Sequence, residues 1–192
     1  MRLQGSRRMR AGGALAATVL PFALGVAVVL SIGVARVEND SMSPTLSTGD
    51  VLVFDRVAAP ARGDIVIFSD IAGWSARPGA VLVKRVIGVA GDRVVCCEVG
   101  TGRLLVDGVP QEEPYETGDR PGGVIPFEVT VPEGAVWVMG DNRGASRDSR
   151  AGLHSAGRGA VPVDDVLGVV RFAWPAQARV TPGGSAAASV SR

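Results

Sequence analysis

Two hydrophobic patterns divide this chain. From Ala11 to Ala35, twenty-five residues pass without a charge, as AGGALAATVLPFALGVAVVLSIGVA. After Arg36 that continuity stops, and short valine-rich runs recur between glycine, proline and aspartate. The first four are Asp50–Val57, Gly63–Ser69, Ala80–Val89 and Asp92–Val99. Gly102–Gly108, Ile125–Val131, Ala135–Gly140 and Val166–Trp174 follow. Short β-branched runs bounded by turn formers predict strands. No stretch between Arg36 and Trp174 keeps apolar residues at the 3.6-residue period of a helix. The expected fold class is therefore mostly β, with antiparallel sheets that pack face to face or close partly into a barrel. The connections Gln111–Gly123 and Asn142–Ala160 are long for such a domain, and long loops are frequent carriers of function.

A bilayer core about 30 Å thick is crossed by roughly twenty apolar helical residues, so the first pattern predicts a transmembrane helix over residues 11–35. Pro21 is compatible with it, because membrane helices accommodate a proline break. Arg2, Arg7, Arg8 and Arg10 precede the run and only Arg36 follows closely. That asymmetry predicts a cytoplasmic amino terminus and an extracytoplasmic remainder. The rival is a cleavable signal peptide with Gly33 and Ala35 at the cut, but its apolar region would span only about 7–15 residues. The expected organisation is a basic cytoplasmic segment at 1–10, an anchor at 11–35, a β domain at 36–175 and a tail at 176–192. The tail, AQARVTPGGSAAASVSR, has the composition of a disordered segment.

Charge removes some functions from consideration. Twenty basic and nineteen acidic residues leave a net charge of +1, with basic residues scattered and aromatics few, so no nucleic-acid partner is expected. Cys96 and Cys97 are adjacent, and a bond between neighbours is strained. With a single distant histidine they make a poor metal site. They read as two small apolar residues on a strand, and neither a metal nor another cofactor is expected.

The lysine count changes the picture more. Lys84 is the only lysine, against nineteen arginines, and it lies among Val81, Leu82, Val83, Val86 and Ile87. Arginine is always protonated, whereas a lysine in apolar surroundings can become a neutral amine and act as a base. A serine hydroxyl needs such an acceptor before it becomes a nucleophile. Ser41, forty-three residues earlier in NDSMSPTL, precedes a proline that keeps Ser43 out of the helical region. To be neutral at pH 7 a lysine must fall from about 10.4, at a cost of roughly 4.6 kcal/mol, which burial can supply. Strand alternation puts Leu82, Lys84 and Val86 on one face. If that face were solvated, Lys84 would be a surface charge. His154, in AGLHSAGRG, is the only rival base and reads as a surface-loop residue. Directly after an apolar strand, VMGDNRGASRDSR (Val138–Arg150) concentrates hydroxyls and ion-pair formers. Asp148 can pair there with Arg85 or Arg150, and a serine hydroxyl can orient an amine.

On these residues the chain resembles the bacterial type I signal peptidases, the membrane-anchored serine–lysine proteases that remove signal peptides. Four ordered segments carry the likeness: DSMSPTL with Gly49–Asp50, GDIVIF at Gly63–Phe68, VKRVIGVAGD at Val83–Asp92, and GDNRGASRDSR at Gly140–Arg150. Gly102–Gly108 and the EPY at Glu113–Tyr115 add to it. The resemblance implies a β catalytic domain, with Ser41 as nucleophile and its N–H in the oxyanion hole. It implies Lys84 as general base and Ser146 as the hydroxyl that orients the amine. Asp148, Arg150 and Arg85 are implied as an ion network behind the base. Asn39 stands where relatives carry serine or glycine; its amide either donates to the oxyanion or forms a turn. Shallow pockets for a small-x-small signal-peptide end are implied at Val37, Met42, Leu46, Leu82 and Val83. The expected partners are signal-peptide-bearing preproteins, membrane lipid and the export translocon. Three other functions share parts of this pattern: a processing peptidase for one secreted or pilin-type substrate, an inactive membrane-anchored binding domain, and a self-cleaving repressor. The repressor is disfavoured by the anchor and by the lack of a DNA-binding helix pair.

Overall fold

The computed structural model describes residues 21–175 except 24, 76, 78 and 117–120. The tail at 176–192, the basic segment at 1–10 and the first ten residues of the expected anchor lie outside the described residues. Among the described residues, eleven strands form two antiparallel sheets. The larger takes β1 (Ile32–Arg36), β2 (Val51–Asp55), β3 (Ile65–Ser69), β4 (Val81–Val89), β9 (Ala135–Met139), β10 (Val161–Pro162) and β11 (Val166–Trp174). Its order is β1-β2-β11-β3-β4-β9-β10. The smaller takes β5 (Arg93–Cys96), β6 (Leu104–Val106), β7 (Val109–Pro110) and β8 (Phe127–Thr130), in the order β7-β6-β5-β8. Each of the eight runs named from the sequence contains one of these strands, usually shortened by a residue or two at its polar ends.

Alternation along β4 explains how the sheets share a core. Leu82, Lys84 and Val86 are buried while Val81, Val83 and Arg85 are more open. A bulge falls between Val86 and Gly88, where the strand turns from one cluster to the next. Val86 packs with Val66, Phe68, Val136, Val138 and Val169 between strands of the larger sheet. Ile87 belongs instead to the cluster of the smaller sheet, with Val94, Val106, Val129 and Trp137. A Cβ on Gly88 would come within 2.7 Å of Val94, so the crossing needs a glycine. A third cluster, of Val37, Met42, Leu46, Leu52, Phe54 and Ile67, lies under the segment that holds Ser41.

The expected anchor ends earlier than its charge pattern indicates. Residues 21–23 and 25–30 are helical, and the Ser31 N–H closes onto the Ala27 carbonyl at 3.0 Å. Ile32–Arg36 then pairs with β2 in register from Ile32↔Asp55 to Arg36↔Val51. The uncharged run thus contains a helix and an edge strand, because apolar residues suit lipid and a sheet equally. Gly33 marks the change, since the Phe54 ring occupies the space of its missing side chain, 2.1 Å from where a Cβ would stand. Among the described residues no helix is long and apolar enough to cross a membrane.

Gly33→Ala should therefore lower stability by about 1–3 kcal/mol, as overpacking against a buried ring does. A thermal or denaturant midpoint reads this directly. If residue 33 belonged to a helix instead, alanine would be neutral or stabilising.

Candidate active site

β4 and the turn after β1 bring the two reactive side chains together. The Lys84 face is the buried one, and the residue is 2% exposed. Its Nζ lies 2.7 Å from Oγ of Ser41 and donates to the Val83 carbonyl at 3.0 Å. Ser41 is itself buried. Burial pulls the Lys84 pKa down from 10.5 to about 8, against the pull of the Asp148 and Asp141 carboxylates, while the Arg150 charge helps to lower it. An amine held there exchanges its proton near neutral pH and touches a hydroxyl that needs an acceptor.

The loop after β9 is fastened to the serine segment through backbone groups. Asn142 N–H donates to the Ser41 carbonyl at 3.0 Å, and Asn142 Nδ2 donates to the Asp40 carbonyl at 3.1 Å. Gly140 passes so close that a Cβ would stand 2.5 Å from the Ser41 carbonyl oxygen and 2.3 Å from Ser146 Oγ. Asp148 is fully buried and gathers the loop on itself. It accepts from the Gly140 N–H at 3.1 Å and from Arg150 Nε and Nη2 at 2.8 and 2.7 Å.

One expectation for this site, the Ser146 contact, needs correction, and two open alternatives are decided. Arg85 does not pair with Asp148; its Nε and Nη2 donate to Asp141 at 2.8 and 2.6 Å, and Thr45 Oγ1 donates to the same carboxylate at 2.6 Å. Asp141 is nearer along the strand exit, so it takes the arginine and leaves Asp148 to Arg150. Ser146 Oγ is buried beside Gly140 but makes no hydrogen bond, so the expected contact with Lys84 is not formed. The Asn39 side chain accepts from the Ser41 N–H at 3.1 Å through Oδ1. This is a local turn of the kind short amides favour, and it occupies the amide expected to bind an oxyanion.

A cleft of about 710 Å³ opens over Ser41. One wall is Val34–Asn39, the other Gly79–Val83, with Met42, Phe54 and Ile67 below. Of the pocket residues expected, Val37, Met42, Leu82 and Val83 line it. Leu46 is packed in the cluster beneath and is not among its lining residues. His154 is exposed on the loop after β9. Cys96 and Cys97, expected as two small apolar residues on a strand, are bonded to each other, and their sulfurs pack against Gly122. No cluster of metal-ligating side chains is found among the described residues.

Sequence reasoning left one group without a role. Glu113 and Arg143 are 4% and 3% exposed and pair through both carboxylate oxygens, at 2.6 and 3.1 Å. Arg143 also donates to the Gly140 and Pro121 carbonyls. Tyr115 donates to Glu113 at 2.8 Å and offers its ring to Arg85, whose guanidinium carbon lies 3.8 Å from the centroid. The two long loops therefore lock onto one another behind Asp141. Their length was the only signal, and nothing local in sequence pairs position 113 with position 143.

The chain is similar to known proteins. A family model described as signal peptidase, peptidase S26, matches residues 10–175. A probable signal peptidase I of Mycobacterium leprae is 32% identical over 213 residues, covering 80% of this chain and 73% of that one. A probable signal peptidase I-1 of Synechocystis is 36% identical over 166 residues, covering 80% and 78%. A crystal structure of a signal peptidase I from Enterococcus faecalis is 30% identical, with a TM-score of 0.46 over 60% of this chain and 99% of that one.

Holding a charged Lys84 in place costs about 3 kcal/mol below pH 8, from the fall of its pKa. In a Ser41→Ala background, which leaves no hydroxyl without its partner, Lys84→Met should stabilise the fold at pH 7 by up to that amount. Between pH 8 and 10.5 the unfolded chain binds a proton that the native lysine has lost, so the parent gains stability as pH rises. The advantage of the methionine should therefore shrink across that window, as denaturant midpoints at pH 7 and 10 would record.

Proposed function

The chain belongs to the signal peptidase family, and we propose that it is a membrane-anchored serine endopeptidase that cleaves signal peptides from exported preproteins after a small-x-small end. The observation that carries this reading is the buried contact between Lys84 Nζ and Ser41 Oγ. As a neutral amine, Lys84 accepts the serine proton while Oγ attacks the scissile carbonyl. The resulting ammonium returns that proton to the leaving amine, and the acyl group remains on Ser41. The mature chain leaves with that amine. A water molecule then gives a proton to the Lys84 amine and attacks the ester, and the ammonium returns the proton to Ser41 Oγ as the signal peptide departs with a new carboxyl end. The Ser41 N–H stabilises the oxyanion once Asn39 Oδ1 turns away from it. Asp148 and Asp141 act indirectly, by holding the loop that grips the Ser41 backbone.

Substrate binding follows from two unpaired strand edges. β1 is the last strand of its sheet, and β4 meets β9 only from Arg85 onward, so Val81–Lys84 have one open side. Both edges line the cleft, and an extended peptide placed between them adds as a strand. Val37, Met42 and Val83 offer shallow apolar contacts that suit alanine-sized side chains and exclude larger ones by clash.

Two features support attachment to a membrane. The uncharged residues 11–30 number the roughly twenty that a span needs. Beside the helix end, Val34, Val53 and Phe172 form one row across β1, β2 and β11, with Val34 and Phe172 exposed. Ile32 and Trp174 are exposed on the same strands, an apolar face that lipid would cover.

Ser41→Ala and Lys84→Ala should each reduce cleavage of an A-x-A precursor to background without loss of fold, and Lys84→Arg should fail as well. Wild-type kcat/KM should rise with pH around 8, as the amine becomes neutral. Full activity in either alanine variant would end the reading.

Asn39→Ala should keep kcat within about tenfold of wild type, because its side chain faces the Ser41 amide as an acceptor. Loss of an oxyanion donor would instead cost roughly 10²–10³ in kcat at similar KM. Single-turnover cleavage rates separate the two.

A further inference from the structure

The mouth of the cleft carries one ion pair that joins its two walls. Arg77 Nη1 lies 3.0 Å from Glu38 Oε2, and both residues line the cleft. Glu38 belongs to the wall that continues β1, whereas Arg77 comes from the loop that leads into β4. The two side chains are 69% and 80% exposed. An ion pair so open to water adds little stability, so neither partner is needed for the fold.

Strand geometry gives this pair a place on the substrate. Val37 is buried and points into the cluster under Ser41, while Glu38, the next residue, points the opposite way. The Val37 N–H donates to Asp50, and its carbonyl accepts from Gly49, so those groups face β2. By alternation the backbone groups of Arg36 and Glu38 face the cleft. A peptide strand laid along this edge has its side chains in step with those of β1. Its two small residues then point inward, toward Val37 and Met42. The residue between them points outward, beside Glu38 and under the reach of Arg77.

We propose that Glu38 and Arg77 are specificity-determining residues that read the charge of the middle residue in the small-x-small end. This rests on the peptidase reading above. No pocket sizes an outward side chain, so charge is the property left to select on. A basic middle residue pairs with Glu38 and releases Arg77; an acidic one pairs with Arg77 and releases Glu38. The intact pair leaves the enzyme broadly tolerant at this position. Arg36 also lines the cleft and is present throughout, so preference is read as a change relative to wild type.

The test uses the full chain in detergent and three quenched peptides that differ only in a middle Glu, Lys or Gln. In Glu38→Gln, the ratio of kcat/KM for the Glu peptide to that for the Lys peptide should rise about two- to fivefold, the scale of one exposed ion pair. In Arg77→Gln the same ratio should fall by a similar factor. Both changes should fade near 0.5 M salt, where the screening length is only a few Å. The ratio is taken within one variant, so partial misfolding cannot mimic it, and the Gln peptide reports any general loss. An unchanged ratio in both variants, or a shift in the same direction in both, overturns the proposal while leaving the peptidase reading intact. Failure of wild type to cleave any of the three peptides overturns the peptidase reading itself, and this inference with it.

Discussion

The burial of one amine against one hydroxyl sets the terms for the rest of this fold. Lys84 occupies a position on β4 whose neighbours on the same face are Leu82 and Val86, so water is excluded from it by the hydrophobic core itself. Desolvation is the largest influence on its pKa, larger than any of the surrounding charges. A strand in mid-sheet is an effective place for such a group. Its backbone is fixed by β3 on one side, with Lys84 opposite Val66, and its side chain cannot escape along a flexible loop. The cost is an unfavourable interior charge below pH 8, and the remaining stability of the sheet has to offset it.

That arrangement explains the charged scaffold behind the site. Three arginine–carboxylate pairs, Arg85–Asp141, Arg143–Glu113 and Arg150–Asp148, each joined by two hydrogen bonds, are buried or nearly so. None touches the Lys84–Ser41 pair, yet each fixes part of the loop whose Asn142 N–H holds the Ser41 carbonyl. Carboxylates placed directly on the amine would have raised its pKa and kept it protonated. Committing each to a guanidinium keeps the loop rigid and leaves burial to dominate at the lysine. Guanidinium suits this work because its planar fork binds both oxygens of a carboxylate and stays charged in the interior. An arginine-rich chain with a single lysine has divided its cations by function.

Much of this was legible from the chain alone, and the exceptions have physical causes. Strands β2, β3, β4, β9 and β11 announce themselves through valine-rich runs and flanking turn residues. Lys84 stood out as the only lysine, whereas Ser41 has other hydroxyls nearby and was singled out by the DSMSPTL segment that carries the family likeness. β1 was not legible, because Ile32–Arg36 continues an uncharged run and hydrophobicity does not distinguish lipid from a sheet edge. β7 and β10 have two residues each, too few to show a period. The choice between Arg85 and Arg150 as partner of Asp148 stayed open because sequence gives the inventory of charges but not their distances. Asn39 and Ser146 depend on side-chain rotation, which no pattern of residue types encodes. Glu113 and Arg143 are joined only by the path of two long loops.

The position of β1 has a further consequence for geometry. Only nine residues separate Ser31, where the helix closes, from Ser41, and five of them are pinned to β2. In the proposed function, a serine on a flexible tether would sample many heights above a membrane. Here the chain passes from the helix end into a paired strand, and from that strand into the turn that carries Ser41, with no free linker between them. The exposed row of Val34 and Phe172 lies on the face of β1–β2–β11 opposite the cluster of Leu52 and Phe54. Strand alternation therefore separates two tasks on the same few residues. Outward side chains form an apolar face, inward ones build the floor under Ser41, and the backbone edge of β1 stays open among the described residues. In the proposed function that edge would sit at a fixed height, so a cleavable bond would be reached only by a peptide emerging close to the membrane surface.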